Sequence, residues 1–315
     1  MTTVQVPPTG STGTSVHPRP VVPYQARGPK QKTRQQVSRG ESAVAYTLLI
    51  LGSLVFLIPF YFVINASLKT EAEVNAGDFV TPPGRVQDVN FGNYARALAP
   101  DKMNFWPALA NTVVITTASV VGQVISCSLV GFGFARFRFR GRGVLFMLML
   151  STLMLPAQVV LIPVFILFRT LGLIDTFWPL ILPMWLASPF YVFMFRQFFA
   201  QIPEELIEAA RIDGASNWRI YWQLMLPLSG PVIAIVAIYT FLASWNDFLG
   251  PLIYLNSPQN RTLALALNAF RGEFGVSDAH LLMAAAVVCM LPCVVLFFAA
   301  QRYFVESVAM SGLKS

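Results

Sequence analysis

Cysteine, histidine and charge are all scarce in this chain, and each shortage removes a class of function. The three cysteines, Cys127, Cys289 and Cys293, sit in apolar runs and build no disulfide framework. Cys289 and Cys293 share a helix face at i, i+4, but no histidine or carboxylate stands beside them to complete a metal site. All three read as small apolar fillers. The two histidines, His17 and His280, are equally isolated, so neither metal binding nor acid–base catalysis has a constellation to rest on. Only 12% of the 315 residues are charged, about half the share of a soluble domain. The phosphate loop G-x4-G-K-[S/T] is missing, so the chain carries no ATP site of that kind. It reads as no enzyme, with no cofactor or metal of its own.

What the sequence has is apolar length: 55% of its residues are hydrophobic, gathered in long runs. Six stretches, 43–64, 108–134, 144–168, 177–195, 231–255 and 281–300, read as membrane spans. They are judged against a hydrocarbon core of about 30 Å and a helical rise of about 1.5 Å per residue. Prolines interrupt the third (Pro156, Pro163) and the fourth (Pro179, Pro183, Pro189), and Pro292 lies inside the sixth. The expected fold is an all-α polytopic membrane protein with six transmembrane helices, occupying residues 43–315. Residues 1–42 form a basic tail rich in Pro, Gly, Ser and Thr, without apolar periodicity, and are expected to be disordered. No small-residue cleavage site follows a short apolar core near the start, so the tail is not a cleavable signal.

The net charge of +7 invites a nucleic-acid partner, and its distribution rejects one. Arg136, Arg138, Arg140 and Arg142 alternate with phenylalanine as a nucleic-acid stripe would. Between two spans, however, RFRFRGRG reads as a headgroup-facing anchor. With six spans, fifteen Lys and Arg fall on the side of the termini and seven on the other. The positive-inside rule therefore places both termini in the cytosol, together with the loop between the fourth and fifth spans.

That loop is far too polar to lie in lipid. Residues 202–227, IPEELIEAARIDGASNWRIYWQLMLP, hold four acids and two arginines. Pro203 suits a first helical position, and Glu204 and Glu205 favour the positive end of the helix dipole. Leu206, Ala209, Ala210 and Ile212 recur at helical spacing, with Glu204 and Glu208 on another side. Gly214 can take the left-handed conformation that ends the helix. Ser216 can cap a second helix from Asn217 to about Leu226, closed by Pro227. The stretch thus reads as a helix–glycine–helix elbow beside a membrane, with small residues that allow close docking.

The run Glu208-Ala209-Ala210-x3-Gly214-x9-Leu224-x-Leu226-Pro227 resembles the EAA loop of ABC importer permeases, with Leu224 where isoleucine is usual. Ser244-Trp245-Asn246-Asp247-Phe248 is similar to the WN-D/E-F signature of carbohydrate-importer permeases. Residues 281–287 and 301–305 resemble that group's last span and its exit. The likeness covers roughly residues 43–315 and is nearest to MalG-like subunits of sugar importers. It implies the type I ABC importer permease fold in the cytoplasmic membrane of a prokaryote. The implied partners are a second homologous permease, two ATP-binding subunits that hold ATP and Mg, an extracytoplasmic solute-binding protein and the lipid bilayer. It further implies that Glu208, Ala209, Ala210, Asp213, Gly214, Leu224, Leu226 and Pro227 couple the chain to an ATPase.

Among polar residues in or near spans (Asn111, Gln123, Gln158, Asn246, Asp247), Asn246 and Asp247 are the candidates for the substrate path. Asn268, Phe270, Arg271 and Glu273, in the outer loop before the last span, are candidates for contact with the solute-binding protein. A gradient-driven secondary transporter is the alternative, and it calls for midplane charges that the spans almost lack.

Overall fold

A computed structural model describes residues 39–77, 89–270 and 278–312, and among them every regular element is helical. Met1–Val55 and Phe56–Ser315 are separate compact units. The described part of the first is the beginning of α1 (Arg39–Ser67). This helix takes in residues 39–42, which composition alone groups with the tail. Its large apolar side chains from Val44 to Val55 are exposed, as are those from Phe56 to Phe62 in the second unit. An apolar helix left bare in this way suits lipid or a partner helix rather than water.

In the second unit the short helices α2 (Glu71–Asn75) and α3 (Gly92–Ala97) precede a 32-residue helix, α4 (Phe105–Arg136). α2 opens with a capping box, Thr70 N–H donating to Glu73 Oε2 at 2.9 Å. Along α4 the buried residues Thr112, Thr116, Ser119, Gln123, Cys127 and Gly131 recur every three or four positions, so one face of this helix is its packing face. Against it lie α7 (Trp178–Trp185), α8 (Pro189–Gln201) and α12 (Gly230–Trp245). The contact with α8 is close: a Cβ on Gly131 would stand 2.7 Å from Phe195 Cβ. Small residues permit such approach between membrane helices.

The third apolar run is not one straight helix. α5 (Arg142–Ser151) and a tight turn, Thr152–Met154, meet α6 (Ala157–Thr170) at a bend of 100°. Pro156 sits at the break in extended conformation, while Pro163 is carried inside α6. α7 and α8 are parted at Ala187, which has φ 59°. The fifth run also differs from expectation. Its helix stops at Trp245 rather than near Leu255: the Asn246 side-chain amide competes for the Leu242 carbonyl at 2.8 Å, and the next N–H, of Asp247, turns to the Ser244 carbonyl three residues back at 3.4 Å. The remainder forms the separate α13 (Leu249–Tyr254). α14 (Leu263–Leu267) and α15 (Ala279–Gly312) complete the unit. Four described helical stretches are long and apolar enough to cross a membrane, and six if each of two bent pairs counts as one span.

Candidate functional site

Residues 202–228 form the expected elbow, with its details shifted. α8 ends at Gln201, Pro203 is the N-cap, and α9 (Glu204–Ile212) follows. Its C-terminus is a Schellman turn. Ala215 N–H donates to the Ala210 carbonyl at 2.9 Å and Gly214 N–H to the Arg211 carbonyl at 3.0 Å, with Gly214 at φ 78°. Asp213 is the C-cap, and its N–H bonds the Ala209 carbonyl. Ser216 Oγ accepts from Arg219 N–H at 3.3 Å and caps α10 (Asn217–Ile220).

The second arm then widens into one π-turn, Tyr221–Met225, and continues as α11 (Leu226–Leu228). Pro227 therefore does not close this arm. Lacking an N–H and crowding the Gln223 carbonyl, it is accommodated by a turn one residue wider than α, and the chain breaks at Ser229.

The elbow's inner and outer faces are distinct. Ile207, Ile220, Tyr221 and Met225 are buried, with Ala210, Ala215, Leu224 and Leu226 packed against them. Glu208, Ala209, Asp213, Gly214 and Pro227 are exposed. The apolar periodicity is thus split: Ala210 faces inward, whereas Leu206 and Ala209 are exposed and Ile212 is 86% exposed. With Trp218 and Trp222, also exposed, these residues, the four acids and the exposed Arg211 and Arg219 make an open surface of mixed apolar and charged character. No ion pair joins Glu208 to Arg211 among the described residues.

Two residues outside the elbow, which its sequence pattern gives no means of finding, hold its arms. Arg136, at the C-terminal end of α4, donates to the carbonyls of Phe199 and of Ile202, the latter at 2.7 Å. Ser128, two turns earlier, shares a buried 2.7 Å hydrogen bond with the Tyr221 hydroxyl.

The candidates for the substrate path separate. Asp247 is half-buried, accepts from Gly250 N–H at 3.1 Å and lines a cavity of about 190 Å³ with Thr112, Ser244, Thr262 and Met184. Asn246 instead lines a recess of about 400 Å³ with Trp245, Asn268 and Cys289, and its amide serves to cap α12. A third cavity of about 430 Å³ is lined by Gln123, Ser188, Tyr191 and Thr240, and shares Met184 and Ala243 with the Asp247 cavity. Asn111 is a brace, donating to the carbonyls of Gln259 and Arg261 at 2.8 and 3.0 Å.

Of the outer-loop candidates, Asn268 is exposed. Phe270 is not available for contact: it is buried at 3% beside Ala97, Phe105 and Leu281, because a large apolar side chain in this short loop gains more by covering the bundle. Arg271 and Glu273 lie outside the described residues. Among the described residues no group of three His, Cys, Asp or Glu side chains could hold a metal.

Residues 127–310 match the family model of binding-protein-dependent transport system inner membrane components. The chain is 38% identical over 210 residues to the arabinooligosaccharides transport system permease protein AraQ of Halalkalibacterium halodurans, covering 67% of this chain and 75% of that one. It is 33% identical over 265 residues to the sn-glycerol-3-phosphate transport system permease protein UgpE of Escherichia coli O1:K1, covering 83% and 94%. A bacterial ABC transporter involved in the import of the acidic polysaccharide alginate contains a chain of like fold. The TM-score is 0.73 at 26% identity, over 85% of this chain and 98% of that one.

Proposed function

Since the chain belongs to the family of binding-protein-dependent transport system inner membrane components, we propose that its elbow is the seat of coupling in an ATP-driven sugar importer. The chain is a transport permease subunit and not an enzyme. On our reading two ATP-binding subunits carry ATP and Mg, a second permease completes the path, and a solute-binding protein delivers the sugar from outside. The four long helical stretches and two bent pairs are read as six spans. Both termini and the elbow then lie in the cytosol of a prokaryote, as the distribution of Lys and Arg supports.

The observation that carries this reading is the elbow's division into a packed inner face and an open outer face, held by a Schellman turn at Gly214. Glu208, Ala209, Asp213 and Gly214 lie on the open side, where a cleft on an ATPase can take them. Ala210, Leu224 and Leu226 key the arms to the bundle, and exposed Pro227 sets the shape of the second arm through the widened turn. Closure of an ATPase pair on ATP would move so rigid a piece as a body. A sugar is supported by the hydroxyl and amide lining of the two cavities that have Met184 and Ala243 in common. No Lys or Arg lines either one, and Asp247 faces the first. An anionic ligand would find no cation there, so neutral saccharides suit the path better than phosphate esters or uronic acids. Asp247 and Asn246 are the proposed substrate-path residues, and Asn268, which shares a recess with Asn246, is the proposed contact with the solute-binding protein together with Arg271 and Glu273.

Uptake of labelled arabinotriose and of glycerol 3-phosphate into vesicles carrying the complex tests the reading. ATP-dependent uptake of the neutral sugar, surviving collapse of ion gradients, is expected. Uptake that ends with the gradient, with or without ATP, contradicts it.

A further inference from the structure

Both arms of the elbow are fastened to a single face of α4. Ser128, Phe132 and Arg136 follow one another at four-residue spacing and so form one stripe along about two helical turns. At the lower end, Arg136 acts where α8 leads into the first arm. The carbonyls it binds, Phe199 and Ile202, belong to the last turn and C-cap of α8, and the first of them also accepts the Ile202 N–H at 3.3 Å. A guanidinium suits that position by both donor number and charge. Ile202 is also the last residue before Pro203, so the grip falls where the elbow begins. At the upper end, Ser128 acts on the second arm. Its hydroxyl lies 3.1 Å from the Ile125 carbonyl and 2.7 Å from the fully buried Tyr221 hydroxyl, so the two hydroxyls share one hydrogen bond inside the bundle. Tyr221 opens the π-turn, and such turns are found at functional positions. Between the two grips the Phe132 ring touches the end of α8 and the second arm, 6.1 Å from Phe199 and 5.4 Å from Tyr221 by ring centroids.

The other end of α4 reaches the polar cavity. Thr112 lines it, accepting a hydrogen bond from Leu263 N–H at 2.8 Å, and Thr116 Oγ1 lies 3.2 Å from Ser244 Oγ. A helix of 32 residues is a rod of about 48 Å.

We infer that the Ser128–Phe132–Arg136 stripe is the clamp through which α4 follows the elbow, making Arg136 and Tyr221 positioning residues that carry its motion to the Asp247 cavity. This rests on the proposed role of the elbow, and it adds a path that the elbow motif does not contain. Each arm alone could flex against the bundle. Two grips on one rigid helix convert a rotation of the elbow into a displacement of the whole rod.

A fluorophore on Trp106→Cys in a Cys293→Ser background tests the clamp, since Trp106 is 73% exposed at the far end of α4, Cys293 is half-buried, and Cys127 and Cys289 are buried. The labelled chain is purified with its bound partners, and the response to Mg-ATP is recorded beside the rate of ATP hydrolysis. We expect a signal in the parent that falls about tenfold in Tyr221→Phe, the equilibrium equivalent of one lost hydrogen bond, and at least as far in Arg136→Gln, which loses two charge-assisted bonds. Hydrolysis per complex should stay near the parent value in both. Arg136→Lys, which keeps the charge and one donor, should restore part of the signal. No signal in the parent, or an unchanged ratio of signal to hydrolysis in both variants, overturns the clamp; a merely structural role gives the second result, because both quantities then fall together. Glu208→Lys separates the two claims: if ATPase stays bound and the signal persists, the elbow reading fails, whatever Arg136 does.

Discussion

Asp175 shows how a single side chain closes two distant loops. It lies between α6 and α7 at φ 62°, a left-handed conformation that aspartate tolerates better than most residues. Its carboxylate accepts from the Ser257 hydroxyl, from the N–H groups of Asn256 and Ser257 at 2.9 Å each, and from the Asn260 amide at 3.2 Å. These donors, the Ser257 hydroxyl foremost, hold its pKa well below the usual carboxylate range. A depressed folded-state pKa means that the clasp contributes in full above the unfolded value and is lost as pH falls through the folded one. Asp175→Asn should therefore lower the melting temperature of the detergent-solubilised protein by a constant amount from neutral pH down to about pH 5. The difference should shrink in stronger acid. A gap that widens on acidification would contradict the assignment. Nothing in the sequence marks this residue, since its partners lie some eighty positions away. Arg136 was just as hidden: as one of four arginines in RFRFRGRG it reads as an anchor for headgroups, and only the fold shows that its guanidinium faces the end of α8.

At the scale of elements, local chemistry proved readable wherever a backbone conformation demands a residue type. Gly214 was legible because a Schellman turn needs a positive φ that only glycine adopts without strain. Ser216 was legible as a cap for the same kind of reason. Two features escaped because they depend on neighbours rather than on propensity. The periodicity Leu206–Ala209–Ala210–Ile212 suggested one apolar face, whereas Ile207 is the residue buried by the bundle. The fifth run looked continuous in hydropathy, yet Asn246 ends its helix with a local hydrogen bond. Gly214→Pro should abolish uptake while leaving membrane insertion near the parent level, because proline fixes φ at about −65° and cannot occupy this turn. Uptake equal to the parent at matched membrane amounts would defeat that expectation.

For the molecule as a whole, the mean composition already required a membrane protein, and the spacing from Glu208 to Pro227 already pointed to a coupled permease. Phe270 marks the limit of such reading, since an aromatic in an outer loop looks like a contact until the loop is seen to fold it inward. The central claim is that the open face of the elbow docks onto an ATPase that this chain lacks. The most direct measurement is a mild-detergent purification of the tagged chain from its native membrane, with co-purifying chains identified by mass spectrometry, for the parent and for Glu208→Lys. The account predicts a second polytopic permease in both preparations and a phosphate-loop ATPase in the parent alone. Recovery of the parent without any ATPase, or equal recovery of the ATPase with Glu208→Lys, would contradict it.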